Sequence, residues 1–269
     1  MNNFKNYLLE YGLVLVVLVV SITGFWNIYF GQDAAPTPYQ NLHVITVFAW
    51  LFLLLYQISL IGGGNHLIHK KIGLSILFIG PFLVATTALL SVYSAHKGLV
   101  SGEGDFLIVQ NVMGTIELGF TILMAFVVKK RRKLHASFLL GSAVLFMGIA
   151  LFFTLISFVP QFKIEGPETF YRFETAATTS RNVIWVVGIL FFLKDRREGW
   201  PVLLVSSFFT LNNYINLFLI QRNLIQPVTE FVGSINQVLV FMGSFMLMFS
   251  LLILTGIANK RKGAKPTSA

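Results

Sequence analysis

Apolar residues run through this chain in long unbroken stretches, not in alternation with polar ones. Stretches of about 18 residues or more recur along nearly its whole length, each long enough to cross a hydrocarbon core of about 30 Å. A membrane-spanning β-barrel would alternate apolar and polar positions, so continuous runs predict helices. Eight are predicted, over about 8–30, 40–62, 72–94, 107–128, 135–158, 175–194, 201–220 and 229–257. The sixth is the least regular, its clean apolar core VIWVVGILFFL covering only 183–193, and the eighth is longer than a span requires. Gly80-Pro81 predicts a kink in the third helix. The largest loop, PQFKIEGPETFYRFETAATTS (160–180), carries breakers at Pro160, Gly166 and Pro167 and suits a segment lying on the membrane or capping the bundle. The expected fold class is all-α: one polytopic transmembrane helical bundle over residues 1–258, followed by a basic, disordered tail over 259–269.

Composition agrees with this pattern. The chain is 55% hydrophobic and only 12% charged, about half the charge that covers an ordinary water-facing domain. The first segment could be mistaken for a cleaved signal peptide. However, Glu10 places a negative charge where such a peptide is positive, and the apolar part extends to about Phe30, so a retained helix is expected. Lys and Arg placement then sets the orientation. Fifteen of the 20 basic residues fall on the side shared by the two termini, including Lys70, Lys71, the run KKRRK (129–133) and Lys194. Only Lys97, Lys163, Arg172, Arg181 and Arg222 fall on the other, so both termini are expected to be cytoplasmic. The net charge of +9 is thereby accounted for by topology and anionic lipid, which leaves no case for a nucleic-acid partner. With no cysteine, disulfides, thiolate metal sites and iron–sulfur clusters are excluded.

Ionisable and amide side chains inside spans are costly, and they are the main clue to function in such a sequence. Glu117 lies near the middle of the fourth segment, on one helical stripe with Gln110, Gly114 and Thr121. Two readings are open for it. Arg181, in the outer part of the sixth segment, could pair with it, since the two differ by only about 6 Å of helical rise. Alternatively, Arg181 sits at the headgroups and Glu117 is neutral with a local hydrogen bond. Asn212, Asn213 and Asn216 fall in the middle and outer half of the seventh segment, and Asn236 and Gln237 in the outer half of the eighth. In the second, His43, Trp50 and Gln57 are each seven residues apart and so share one face, drifting by about 20° per step. These positions predict a polar cavity open to the outer side, with Gln57 closing its floor. The competing reading is that the amides and Trp50 simply join helices, at roughly 0.6 kcal/mol per hydrogen bond.

The other histidines allow a different reading. His43 and His96 lie toward the outer side, His69 and His135 toward the inner, an arrangement reminiscent of bis-histidine haem b ligation. Against it, His69 and His96 are 27 residues apart, about 40 Å along a helix, which puts such haems at or beyond the headgroups. His66 and His69 lack the further ligands a metal site needs. No nucleophile–base motif and no phosphate-cradling loop is present, so an enzyme is not expected. The 27 Phe residues are assigned to lipid contact and packing.

The stretch LHVITVFAWLFLLLYQISLIGGGNHLIHKKIG (42–73) resembles a group of bacterial multi-pass membrane proteins of unassigned role. Their pattern is a helix-borne His, then Trp, then Gln, followed by an LHRxLG-like element, here LIHKKIG (67–73); RKLHASFLLG (132–141) resembles a second element. The resemblance implies a bundle in a bacterial cytoplasmic (inner) membrane in which His43, His69 and His135 match recurring positions, and it implies no activity. Taken together, the expectation is a protein that binds or translocates a small solute or ion, using Glu117, Arg181, His43, Trp50, Gln110, Asn212, Asn216, Asn236 and Gln237, with no cofactor. A haem- or quinone-linked redox protein and a ligand-free scaffold or assembly factor are the alternatives. The lipid bilayer is the one partner expected; a protein partner is not specified.

Overall fold

The computed structural model describes residues 4–102 and 104–263, the last seven of these by backbone alone. Ten α-helices occur among them: α1 Leu8–Gly24, α2 Pro38–Gly62, α3 His66–Gly73, α4 Ile76–Ser101, α5 Ile108–Val127, α6 Arg132–Phe158, α7 Arg172–Lys194, α8 Trp200–Gln221, α9 Ile225–Gly233 and α10 Gln237–Gly263. Eight are long and apolar enough to span a membrane, and α3 and α9 are short connectors. No strand occurs among the described residues. The chain is an all-α integral membrane bundle of eight spans.

The layout follows from which helices are buried. α6 packs against α1, α5, α7 and α8, while α4 packs against α2, α5, α9 and α10. These two helices form the centre of the bundle, and α10 lies outermost, with Val238, Leu239, Met242, Met246 and Leu247 exposed. Small residues permit the closest crossings: Gly24 leaves no room for a Cβ against the Ala150 backbone of α6, nor does Gly148 against the Phe209 ring of α8. Several of the polar joints between helices are Ser and Thr hydroxyls. Thr46 and Thr86 join α2 to α4 at 2.8 Å, Ser180 donates to the Gly148 carbonyl at 2.7 Å, and Thr23 meets Thr154 at 3.2 Å.

Several boundaries differ from those the sequence predicts, each for a local reason. The first helix ends at Gly24 and closes in a π-helical turn, Trp26–Phe30. The second begins with a capping box, Gln40 N–H donating to Thr37 Oγ1 at 3.4 Å and Thr37 N–H to Gln40 Oε1 at 2.8 Å, with Pro38 in the first turn. The third span is set later, at Ile76–Ser101, because His66–Gly73 folds as a separate helix. Pro81 lies inside that span. Residues 160–180 are less of a loop than expected, α7 starting at Arg172. The eighth segment is broken. α9 ends where Gly233 presses on the α4 backbone, a Cβ there falling 3.1 Å from the His96 nitrogen, and Asn236 restarts the chain as α10. Of the expected disordered tail, 259–263 continues α10, while 264–269 lies outside the described residues.

The two ends of the bundle differ. One carries Glu10, α3, the KKRRK run and the α7–α8 turn, and it is tied by Lys194–Glu10 at 2.7 Å, Lys133–Asp195 at 2.9 Å and Arg131–Glu198 at 3.1 Å. The Lys133 hydrogen bond holds the Asp195 carboxyl below its usual range. The other end, formed by the α1–α2, α4–α5, α6–α7 and α8–α10 connections, holds two cavities.

Candidate functional site

The smaller cavity, about 130 Å³, lies among α5, α6, α7 and α8. α8 supplies Asn212, Asn213 and Asn216, α7 supplies Ser180 and Arg181, and α5 supplies Gln110. These residues meet because their helices place polar positions at matching depth on facing sides. Arg181 donates to Thr178 Oγ1 at 2.9 Å and lies 3.8 Å from Glu174, both on its own helix. Phe106, Phe152 and Phe173 close round the mouth, Phe173 meeting Phe106 at 5.3 Å and Phe152 at 4.8 Å between ring centroids.

Glu117 lies behind this wall, 4% exposed. Its Oε2 accepts from Asn212 Nδ2 at 3.2 Å, and the same nitrogen donates to Gln110 Oε1 at 3.3 Å. Thr121 Oγ1 donates to the Glu117 backbone carbonyl at 2.6 Å. Asn212 is thus a relay, one amide nitrogen holding both the cavity-lining Gln110 and the enclosed carboxyl. Glu117 Oε1 and Asn212 Oδ1, both buried, have no partner among the described residues. Two enclosed acceptor atoms at one place call for a donor, a proton or a cation.

The larger cavity, about 470 Å³, lies among α1, α2, α4, α5 and α6 and shares Leu107, Gln110 and Ile149 with the smaller. His43 stands on its wall, with Nδ1 buried and unpartnered. Sequence reasoning did not assign Lys97, Phe48, Phe146 or Phe153 to a site, yet all four line this cavity. A signal was present for two of them, since Phe146 and Phe153 are seven apart and share a face of α6.

The remaining expected positions serve other purposes. Glu117 and Arg181 do not form an ion pair; each is bonded elsewhere, with Asn212 between them. Of the three seven-spaced residues on α2, only His43 meets a cavity. Trp50 is fully buried and donates to Ser142 Oγ at 2.8 Å, joining α2 to α6. Gln57 ties α2 to α3. With its amide oriented to suit its neighbours, the nitrogen donates to His69 Nδ1 and to the His69 carbonyl at 3.2 Å, and the oxygen accepts from Gly73 N–H at 3.1 Å. Asn236 is exposed and caps α10, its Oδ1 accepting from Val238 and Leu239 N–H at 2.9 and 3.1 Å. Gln237 Oε1 accepts from the Tyr39 hydroxyl at 2.6 Å, pinning α10 to α2. His96 is exposed on α4, and His135 Nδ1 lies 2.7 Å from the Ala125 carbonyl. Among the described residues no three His or acidic side chains cluster as metal ligands would.

The chain matches no protein-family model, no curated protein and no solved structure.

Proposed function

We propose that this is a multi-pass protein of a bacterial cytoplasmic membrane, basic end inward, that binds a small polar solute carrying an anionic group and moves it through the bundle. The solute enters from the end opposite the basic clusters and occupies the smaller cavity. There Arg181 holds the anionic group, and the amides of Asn213 and Asn216 complete its hydrogen bonds. Glu117 exchanges a proton or a cation as the solute binds, the exchange reaching the cavity through Asn212 and Gln110. The observation that carries this reading is the Gln110–Asn212–Glu117 chain with its two unpaired buried oxygens. The Thr46–Thr86 and Trp50–Ser142 joints between helices, by contrast, leave no buried side-chain atom unpaired.

The test is calorimetric titration of the purified protein with acetate, acetamide and methylammonium. Acetate is expected to bind, acetamide to bind roughly tenfold or more weakly, and methylammonium not at all. Arg181→Gln brings acetate down to the acetamide level. Repeating the titration in buffers of different ionisation enthalpy reports protons exchanged on binding, and Glu117→Gln removes that exchange. Equal affinity for acetate and acetamide, or an Arg181→Gln protein that binds acetate as before, would overturn the reading.

A further inference from the structure

The larger cavity carries chemistry that the polar one lacks. It extends from the chain before α2, at Ala35 and Thr37, down to Gly114 and Leu118 on α5; Leu118 is ten residues past the start of that helix, about 15 Å of rise. Its lining is largely aromatic and aliphatic, with Phe48 from α2 and Phe146 and Phe153 from α6. A space of about 470 Å³ with such walls falls in the size range of sites for drug-sized molecules.

Most of its polar groups are already committed. Gln40 and Thr37 cap each other, the Tyr29 hydroxyl donates to Asn41 at 2.9 Å, and Thr87 donates to the Leu83 carbonyl at 2.8 Å. Ser91 is bonded to the Thr87 and Asn111 carbonyls at 2.9 and 3.1 Å. Asp105, in the adjoining connection, is occupied by the Leu107 N–H at 3.0 Å and by the Asn111 and Ser94 side chains, and it does not line the space. Lys97, Gln110 Nε2, the His43 ring and the Ser21 and Tyr93 hydroxyls remain. Lys97 is the one charged residue on the wall and has no ion-pair partner among the described residues. Gln110 uses its oxygen toward Asn212, which leaves its nitrogen as a donor. The site therefore offers a cation and neutral donors above an apolar floor, with no carboxylate lining it.

We infer that the larger cavity is a second binding site, for an anionic amphiphile whose apolar body lies against Phe48, Phe146 and Phe153 and whose acidic head is held by Lys97, with His43 and Gln110 as hydrogen-bond partners. It is distinct in ligand class from the small polar solute proposed above, and it stands whether or not that reading holds. Because Gln110 belongs to both walls, occupancy here bears on the amide that the Asn212 relay uses.

Three probes share one apolar body and differ only in the head: 4-phenylbutyrate, 4-phenylbutanol and 4-phenylbutylamine. Each is titrated against the full chain in a maltoside detergent, and affinity is taken from the concentration dependence of the thermal midpoint. Phenylbutyrate is expected to bind at least about tenfold tighter than the alcohol, the scale of one charge-assisted contact, and the amine not to bind. Lys97→Gln, an exposed change that leaves the packed core untouched, brings acid and alcohol to equal affinity. Phe146→Ala weakens acid and alcohol together by a similar factor. Equal binding of the three probes would overturn the inference, as would retention of the acid preference in Lys97→Gln. Phenylbutyrate binding that is lost in Arg181→Gln but kept in Lys97→Gln would place the probe in the smaller cavity and overturn it equally.

Discussion

The two cavities lie on either side of Gln110 and differ in the polar groups set into their largely apolar linings. The smaller sets four amides and a guanidinium into a lining that also holds Phe106, Phe152, Phe173 and Phe209, with an enclosed carboxyl one hydrogen bond behind. The larger is walled mainly by aromatic and aliphatic side chains, with its one charge at Lys97, on the exposed side of α4. The difference suits the two proposed sites to different ligand classes within one membrane half. Placing amides on α5 and α8 costs desolvation, which Asn212 offsets by bonding Gln110 and Glu117, and such a site stays small. Phenylalanines on α2 and α6 carry no such cost and can border a much larger space.

The change with the largest expected effect on this contrast is Asn212→Leu. It removes the amide that serves both Gln110 and Glu117, and acetate affinity should fall by about ten- to a hundredfold, the worth of a lost hydrogen bond to a charged group. Phenylbutyrate affinity should change less than about twofold, since position 212 does not line the larger space; calorimetry on both probes checks this. A comparable loss for both would mean that the cavities act as one.

Next is Gly148→Ala. The added methyl meets the Phe209 ring of α8, and overpacking of this kind costs about 1–3 kcal/mol. Thermal unfolding should register that cost, and the displaced ring should narrow the smaller cavity alone. Ser142→Ala is milder. It removes the acceptor for Trp50 Nε1 and should cost about 0.6–1.7 kcal/mol of stability, with binding at both cavities retained. A loss of either ligand would move Trp50 from joint to site.

The smallest effect is expected at the opposite end. Burial, then the nearby His135, His66 and Lys70 charges, hold the His69 imidazole below its ordinary value of 6.5. Its Nδ1 must also stay unprotonated to accept from Gln57. A depressed histidine favours the neutral form in the folded state, so its contribution is complete above 6.5 and is lost as pH falls through the shifted value. Hydrogen exchange in α3 should therefore quicken as pH falls below the ordinary 6.5 and through the lowered value, while exchange in α5 and α8 is unmoved by this group. Equal acceleration in all three would tie the α3 latch to the cavities.

Particular residues show how far the chain could be read without its structure. Gln110 and Glu117 were legible as one polar stripe and Asn212 as a polar group in the same membrane half, and the fold does join them. Arg181 was legible as a cavity residue, but its partner was not, because helical rise fixes depth and leaves rotation free. The seven-residue spacing of His43, Trp50 and Gln57 gave a shared face without saying that this face crosses three surroundings in turn: a cavity, the Ser142 contact on α6 and the α3 turn. Asn236 illustrates the reverse case. α9 ends at Gly233, where the chain runs too close to α4 for a Cβ, and Asn236, an expected intramembrane amide, is an exposed cap.

By itself, the sequence determined that the chain crosses a membrane in eight helices, because the length of each apolar run is measured against a fixed bilayer thickness and needs no partner. It also singled out Glu117 and Asn212 among the polar groups inside spans, where burial is costly. Only the tertiary structure decided which of those groups meet one another, which merely join helices, and that Lys97 and three phenylalanines surround the larger space. Contact depends on how each helix is rotated and which neighbour it faces, and these are set by side-chain packing summed over the whole bundle.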